Sequence, residues 1–262
     1  MKSFACFAFL CCFFASLTLF AQTPKAIEAD LLGRIKKIDY WAMQLNNDTT
    51  GLALDSLSDV NSDFGNKLES DAFKYPVTIK LPFDSLVNAG LNIINTDDGC
   101  LRIYLWDTRM GGAQHEFSNI FQYKTRTGTD TLSDVPADPY GSPGPFDNIY
   151  QFIINGKTYY LIAYSNEIGF NDVYKGIMVF AIVNDKLETI KLIKTQSGLH
   201  SHLNCYYTSS VNDPQYDDGA YNIIFNGDNK TITLPLIDEN NRITGKYITY
   251  KFTGQYFERV KN

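Results

Sequence analysis

The chain has few of the residues that carry most recognisable chemistry: three histidines, two tryptophans and five cysteines among 262 residues. It has no Gly-x-Ser-x-Gly elbow, phosphate-binding loop or dinucleotide fingerprint, which removes the hydrolases and nucleotide-dependent enzymes recognised by those motifs. Basic clusters are also missing, and the formal net charge is −6. Nucleic acid and anionic lipid, which bind Lys- and Arg-rich surfaces, are therefore not expected partners.

Long apolar runs are missing everywhere except at the start. Lys2 is followed by an uncharged stretch from Phe4 to Phe20, and Ala21, Gln22, Thr23 and Pro24 then break it. This is the layout of a secretory signal, here expected to span residues 1–21 with cleavage after Ala21. A membrane anchor is the rival reading, but a spanning helix needs about 20 apolar residues, and Ser16 and Thr18 weaken the end of this run. Leu10 precedes Cys11 and Cys11 precedes Cys12, so no small residue stands before a cysteine as a lipoprotein signal requires. The expectation is a periplasmic or extracellular protein without a membrane anchor. Three of the five cysteines leave with the signal, and Cys100 and Cys205 remain. One disulfide and two separate thiols are equal readings for that pair.

The first part of residues 22–262 reads as helix. Ile27, Leu31, Ile35, Ile38, Ala42 and Leu45 recur at three- and four-residue steps, and a second stripe runs through Leu57, Val60, Phe64, Leu68 and Ala72. Thr23 and Pro24 supply a cap and a first-turn residue, and Tyr75 and Pro76 end the pattern. A helical hairpin over 22–75 is expected to cap an antiparallel β domain over 76–262. From Val77 the period changes to two. One strand set runs from Leu91 through CLRIYLW to FSNIFQY, a second contains IYQFII, TYYLIAY, GIMVFAIV and LETIKLI, and a third contains YNIIF, TITLPLI, KYITYKF and QYFERV. The fold class is thus mainly β: four-stranded antiparallel meanders forming a sandwich or open stacked sheets, with a propeller-like arrangement as the alternative. The proline-rich stretch 135–145 marks a seam between the first and second sets.

Candidate sites are scattered. His200 and His202 would share one face of a strand and offer two imidazoles to a divalent metal, with Cys205 or His115 to complete the set, although Ser197–His202 also reads as an exposed loop. Acidic turns at Asp97–Asp98, Asp130–Asp134 and Asp213–Asp218 offer oxygen ligands, but Asp at hairpin turns is expected on backbone grounds alone. Apart from this divalent metal no cofactor is expected. Trp106 with neighbouring tyrosines suits a platform for a sugar ring, core packing being its other role. Asp107, Glu116 and Glu167 lie near strand ends, where a carboxylate pair could act on a glycosidic bond. The candidate ligand-binding set is Trp106, Asp107, His115 and Glu167.

The segment Asp97–Phe117, DDGCLRIYLWDTRMGGAQHEF, with IFQYK after it and ITGKYITYKFTGQYF (Ile243–Phe257) near the end, resembles a pattern in uncharacterised exported proteins of Bacteroides-type bacteria. The resemblance implies export and carries no activity. It also implies O-glycosylation at Asp-Ser/Thr-Leu triplets, which place acceptors at Ser56, Ser85 and Thr131. Together these readings point to a non-catalytic exported module that binds a glycan, peptide or envelope component. A hydrolase of an extracellular polymer and a structural or assembly protein of the envelope are the alternatives.

Overall fold

The computed structural model describes residues 23–112, 115–136, 144–167, 171–208 and 222–260; the expected signal, 1–21, lies outside the described residues. Two long helices open it, α1 (Pro24–Gln44) and α2 (Leu52–Lys74). Thr23 caps α1 as its spacing predicts, the hydroxyl accepting the Ala26 N–H at 3.2 Å. At the start of α2, Gly51 takes the left-handed conformation and the Asp48 carboxylate accepts the N–H groups of Thr50 and Ala53. The apolar stripes Ile27, Leu31, Ile35, Ile38 and Leu57, Phe64, Leu68, Ala72 are buried. Beside them Lys67 of α2 bonds both oxygens of the buried Asp71 carboxylate at 2.6 Å and reaches Asp30 of α1 at 3.3 Å, while Arg34 joins Asp30 to Asp63.

The change to period two comes later than Val77. Pro76–Lys80 is a 3-10 turn and a short helix, α3 (Asp84–Val87), follows, its Ser85 N–H bonded by Glu28 of α1 at 2.7 Å. Sheet 1 is the antiparallel meander β1 (Asn92–Asn95), β2 (Leu101–Asp107), β3 (Phe117–Lys124) and β4 (Thr129–Ser133). Sheet 2 contains β5 (Phe146–Ile154), β6 (Lys157–Glu167), β7 (Asp172–Val183), β8 (Lys186–Thr189) and β11 (His202–Thr208). Its order is β11-β7-β6-β5, and β8 pairs with the other half of β7. Sheet 3 contains β9 (Ile193–Thr195), β10 (Gly198–His200), β12 (Ile224–Asn226), β13 (Thr231–Ile237), β14 (Ile243–Phe252) and β15 (Phe257–Arg259). It is mixed, because β9 runs parallel to β15.

The stack has four layers, hairpin, sheet 1, sheet 2 and sheet 3, and the strand alternation builds it. On β2, Tyr104 and Trp106 face the helices while Leu101 and Ile103 face sheet 2. On β6, Tyr160, Ile162 and Tyr164 face sheet 1 while Leu161 packs towards sheet 3, where Phe152, Phe225, Phe252 and Phe257 form a ring cluster with centroids 4.9 to 6.0 Å apart. These are open stacked sheets with no closed barrel, the first of the expected arrangements. Three details differ from expectation, the first being that only sheet 1 is a four-stranded antiparallel meander, sheet 2 having five strands and sheet 3 six with one parallel pair. The run LETIKLI is divided between β8 in sheet 2 and β9 in sheet 3, and Ser197–His202 is not simply a loop. It enters β10, turns at Ser201 and begins β11, a strand masked in the sequence by its polar alternate residues His202 and Asn204. Of the expected seam, residues 137–143 lie outside the described residues; Val135 is buried on the sheet 1 side and Phe146 on the sheet 2 side.

Candidate binding cleft

β2, β4, β6 and β11 finish, and β1, β3, β5 and β7 begin, at one end of the stacked sheets 1 and 2. A cleft of about 600 Å³ opens there. Its apolar lining comes from Leu105, Trp106, Phe117, Pro145 and Phe146, and its polar lining from Asn92, Asp107, Asp147, Ser165, Lys175 and Asn222. Five of these polar groups are held by hydrogen bonds. Ser165 donates to both Asp147 oxygens at 2.9 and 3.0 Å, and the buried Lys175 ammonium donates to Asn222 Oδ1 at 2.8 Å. Asp107 accepts the Arg109 N–H at 2.8 Å and a second bond from its guanidinium at 3.2 Å, and it bonds His115 Nδ1 at 2.6 Å.

This arrangement presents two carboxylates, an ammonium, amides and a hydroxyl around an apolar floor. Planar carboxylates and amides match pairs of hydroxyls, and ring faces match the apolar side of a sugar or an aliphatic side chain. Asp107 holds the His115 imidazole through Nδ1, so the pair has the form of a general base and its positioning carboxylate. The cleft hydroxyl, Ser165, is held by Asp147 instead.

Of the four expected ligand-binding residues, Trp106 and Asp107 line the cleft; His115 is tied to Asp107 but, like Glu167, which lies exposed at the end of β6, it is not part of the lining. Trp106 is not a stacking platform. Its even-numbered face is the one that α2 covers, the ring is 5 % exposed, its N–H donates to Asn61 at 3.2 Å, and Phe64 packs edge-on at 5.1 Å. The half-buried ring at the cleft is Phe117, which pairs across the strands with Asp107 and lies 6.1 Å from the His115 ring. Its position opposite Asp107 at the start of FSNIFQY was the available signal. Lys175, Asp147, Ser165 and Asn222 gave none, because the first three meet only through sheet 2 and Asn222 reaches Lys175 from the segment before β12 of sheet 3.

His200 and His202 do not share a strand face, since His200 ends β10 in sheet 3 and His202 begins β11 in sheet 2, with rings 6.1 Å apart at 69°. His200 bonds the Ser197 hydroxyl at 2.9 Å. Desolvation, then the charge of His200, lower the His202 pKa. Among the described residues no group of three His, Cys, Asp or Glu converges to hold a metal. The Asp98 turn serves structure: its carboxylate accepts from Thr96, the Cys100 N–H and Tyr160 of sheet 2. Asp213–Asp218 lies outside the described residues. Cys100 and Cys205 are free thiols on opposite sides of sheet 2, Cys100 against the core shared with sheet 1 and Cys205 within the core shared with sheet 3. The layer between them explains why they are not bridged. Of the triplet acceptors, Ser85 is exposed, Ser56 is half-buried on α2, and Thr131 donates to Glu69 at 3.3 Å. Among the described residues no helix is long and apolar enough to cross a membrane. Compared with known proteins, the chain matches no family model, no curated protein and no solved structure.

Proposed function

We propose that this is an exported, non-catalytic protein that binds a glycan in the cleft at the end of sheets 1 and 2. The observation that carries the reading is the lining of that cleft, in which Asp107, Asp147, Asn92 and Asn222 stand around the half-buried ring of Phe117. A sugar offers the same alternation of hydroxyl edges and an apolar face. Export rests on residues 1–21 and on the resemblance to Bacteroides-type exported proteins. A net charge of −6 disfavours nucleic acid as an alternative partner.

Calorimetric titration of the mature chain against soluble oligosaccharides, including peptidoglycan fragments, tests this. Saturable binding to one class is expected, weakened about tenfold or more by Asp147→Ala, the loss typical of a charge-assisted hydrogen bond. No binding across the sugars, with binding of peptides instead, would replace the glycan by a peptide, and a flat response to both would favour the envelope-structural reading. Cleavage of a bound sugar would make the protein a hydrolase, with the Asp107–His115 pair the first place to look.

A further inference from the structure

A second cavity, of about 270 Å³, lies between α2 and sheet 1. Its sheet wall holds Glu116 and Ser118 around the start of β3 and Ser133 and Asp134 around the end of β4, and its helix wall holds Ser62, Gly65 and Glu69. A helix packed on a sheet buries an apolar stripe there, as Phe64 and Leu68 of α2 do alongside. The adjoining strip of the helix is small and polar instead, and it leaves a space open. Gly65 sets its depth, since a Cβ there would stand 3.3 Å from the Trp106 ring.

The inner lining accepts hydrogen bonds and offers few. Three carboxylates, Glu69, Glu116 and Asp134, face a space that no Lys, Arg or His lines. The donors beside them are already used: Ser133 donates to Glu69, Ser118 bonds Asp134, the Trp106 N–H goes to Asn61, and the Asn61 and Asn119 amides go to backbone carbonyls. Desolvation and then the charge of Glu69 raise the Asp134 pKa, so these two carboxylates repel one another across the space. A positive ligand relieves that repulsion. Among the described residues no three such groups converge to hold a metal, so the cation that fits is one whose charge is spread over several hydrogen-bond donors.

We propose that this cavity binds a small hydroxylated organic ammonium, whose N–H groups are accepted by Glu69 and Asp134 and whose hydroxyls meet the Ser118 and Ser133 oxygens. An ammonium has three donors and no acceptor, the complement of this lining. The volume lies just below the roughly 300–1,000 Å³ of drug-sized pockets, so the ligand has only a few non-hydrogen atoms. The site is independent of the glycan cleft, with which it shares Trp106 alone.

The test titrates the mature chain by calorimetry at neutral pH with three molecules of one size, 2-amino-1,3-propanediol, glycerol and glycerate, which are cationic, neutral and anionic, and with calcium chloride. The expected result is saturable one-to-one binding of the aminodiol, about tenfold or more tighter than glycerol, with no binding of glycerate. Glu69→Gln and Asp134→Asn should each weaken it about tenfold or more. Asn tolerates the left-handed backbone of position 134, where φ is 49°, so if Glu69→Gln does not fold, Asp134→Asn decides. Asp147→Ala, in the glycan cleft, should leave aminodiol binding unchanged, which separates this site from that reading. No binding of the aminodiol, equal binding of glycerol, tighter binding of calcium, binding undiminished in Asp134→Asn or binding lost in Asp147→Ala would each overturn the proposal.

Discussion

Asn61 of α2 holds Trp106 of β2 in place: its Oδ1 accepts the indole N–H at 3.2 Å, while its Nδ2 donates to the carbonyls of Leu57 and Thr108 at 2.9 Å each. One buried amide thus ties the helical hairpin to sheet 1 and orients the residue that backs the cleft. Asn61→Leu keeps the volume and leaves the indole N–H and the Thr108 carbonyl without this partner. A loss of roughly 2–4 kcal/mol is expected, since each buried group left unpaired costs about 1–3 kcal/mol. Urea unfolding followed by tryptophan fluorescence measures it, and a change below a few tenths would show that the two layers do not depend on this amide.

The ion-pair network on the hairpin gives a second prediction. Asp71 is almost fully buried, with a side chain 3 % exposed, and its partner Lys67 is 22 % exposed. Lys67→Met therefore strands a buried carboxylate, at a cost of about 2–3 kcal/mol, below the range for wholly buried pairs because the ammonium retains some solvent. The pH dependence has a definite sign. Desolvation raises the Asp30 pKa, but the hydrogen bonds and charges of Arg34 and Lys67 outweigh it and hold the carboxyl below its ordinary 3.8. Its contribution is present above that value and is lost as pH falls through the lower folded pKa. Thermal melts between neutral pH and pH 3 should show a smaller acid-induced drop in Lys67→Met than in the parent. An equal drop would mean that Asp30 does not sense Lys67.

The helical hairpin, the C-terminal meander and the stacking of open sheets were legible in the sequence because each rests on local periodicity: 3.6 in Ile27 to Ala72, and two in TITLPLI and KYITYKF. β11 was missed because His202 and Asn204 interrupt its apolar pattern, although Leu203, Cys205 and Tyr207 alternate inward as a half-buried strand requires. The split of LETIKLI depends on which sheet offers the next free edge, a non-local fact. The same limit applied to the cleft. Trp106 and Asp107, with His115 bonded to the latter, lie close together in the chain and were found, whereas Lys175 and Asn222, and Asp147 and Ser165, meet across long sequence separations.

The two thiols should behave differently from a bridged pair. Burial pushes the Cys205 pKa up to about 11, with the charge of Lys175 opposing, and burial followed by the charge of Asp98 raises that of Cys100. Near pH 8 a two-unit rise leaves on the order of 100-fold less thiolate at Cys205 than in the unfolded chain. Without reductant, a disulfide reagent should therefore titrate both thiols in urea and react slowly with Cys205 in the native state. No free thiol in urea would establish a bridge. For the same reason the stability linked to Cys205 is intact below about pH 9 and falls as pH rises towards 11, and Cys205→Ala should remove that alkaline component.

Gly176 offers the sharpest test of the packing between sheets 1 and 2. Its φ lies outside the left-handed region, so backbone freedom does not explain the glycine; the space above it is taken by the Tyr164 ring, with carbon and oxygen atoms 2.1 Å from where a Cβ would stand. Tyr164 is 4 % exposed and packs edge-on against Phe146, 6.4 Å away, so the ring cannot swing aside without disturbing the cleft wall. Gly176→Ala should accordingly destabilise by about 1–3 kcal/mol, the usual range for overpacking. In Tyr164→Leu the obstruction is gone and the alanine should be tolerated, so the double mutant should be more stable than the two single losses predict, with a coupling of about 1 kcal/mol or more. Strict additivity in that cycle would show that the ring does not lie over the glycine.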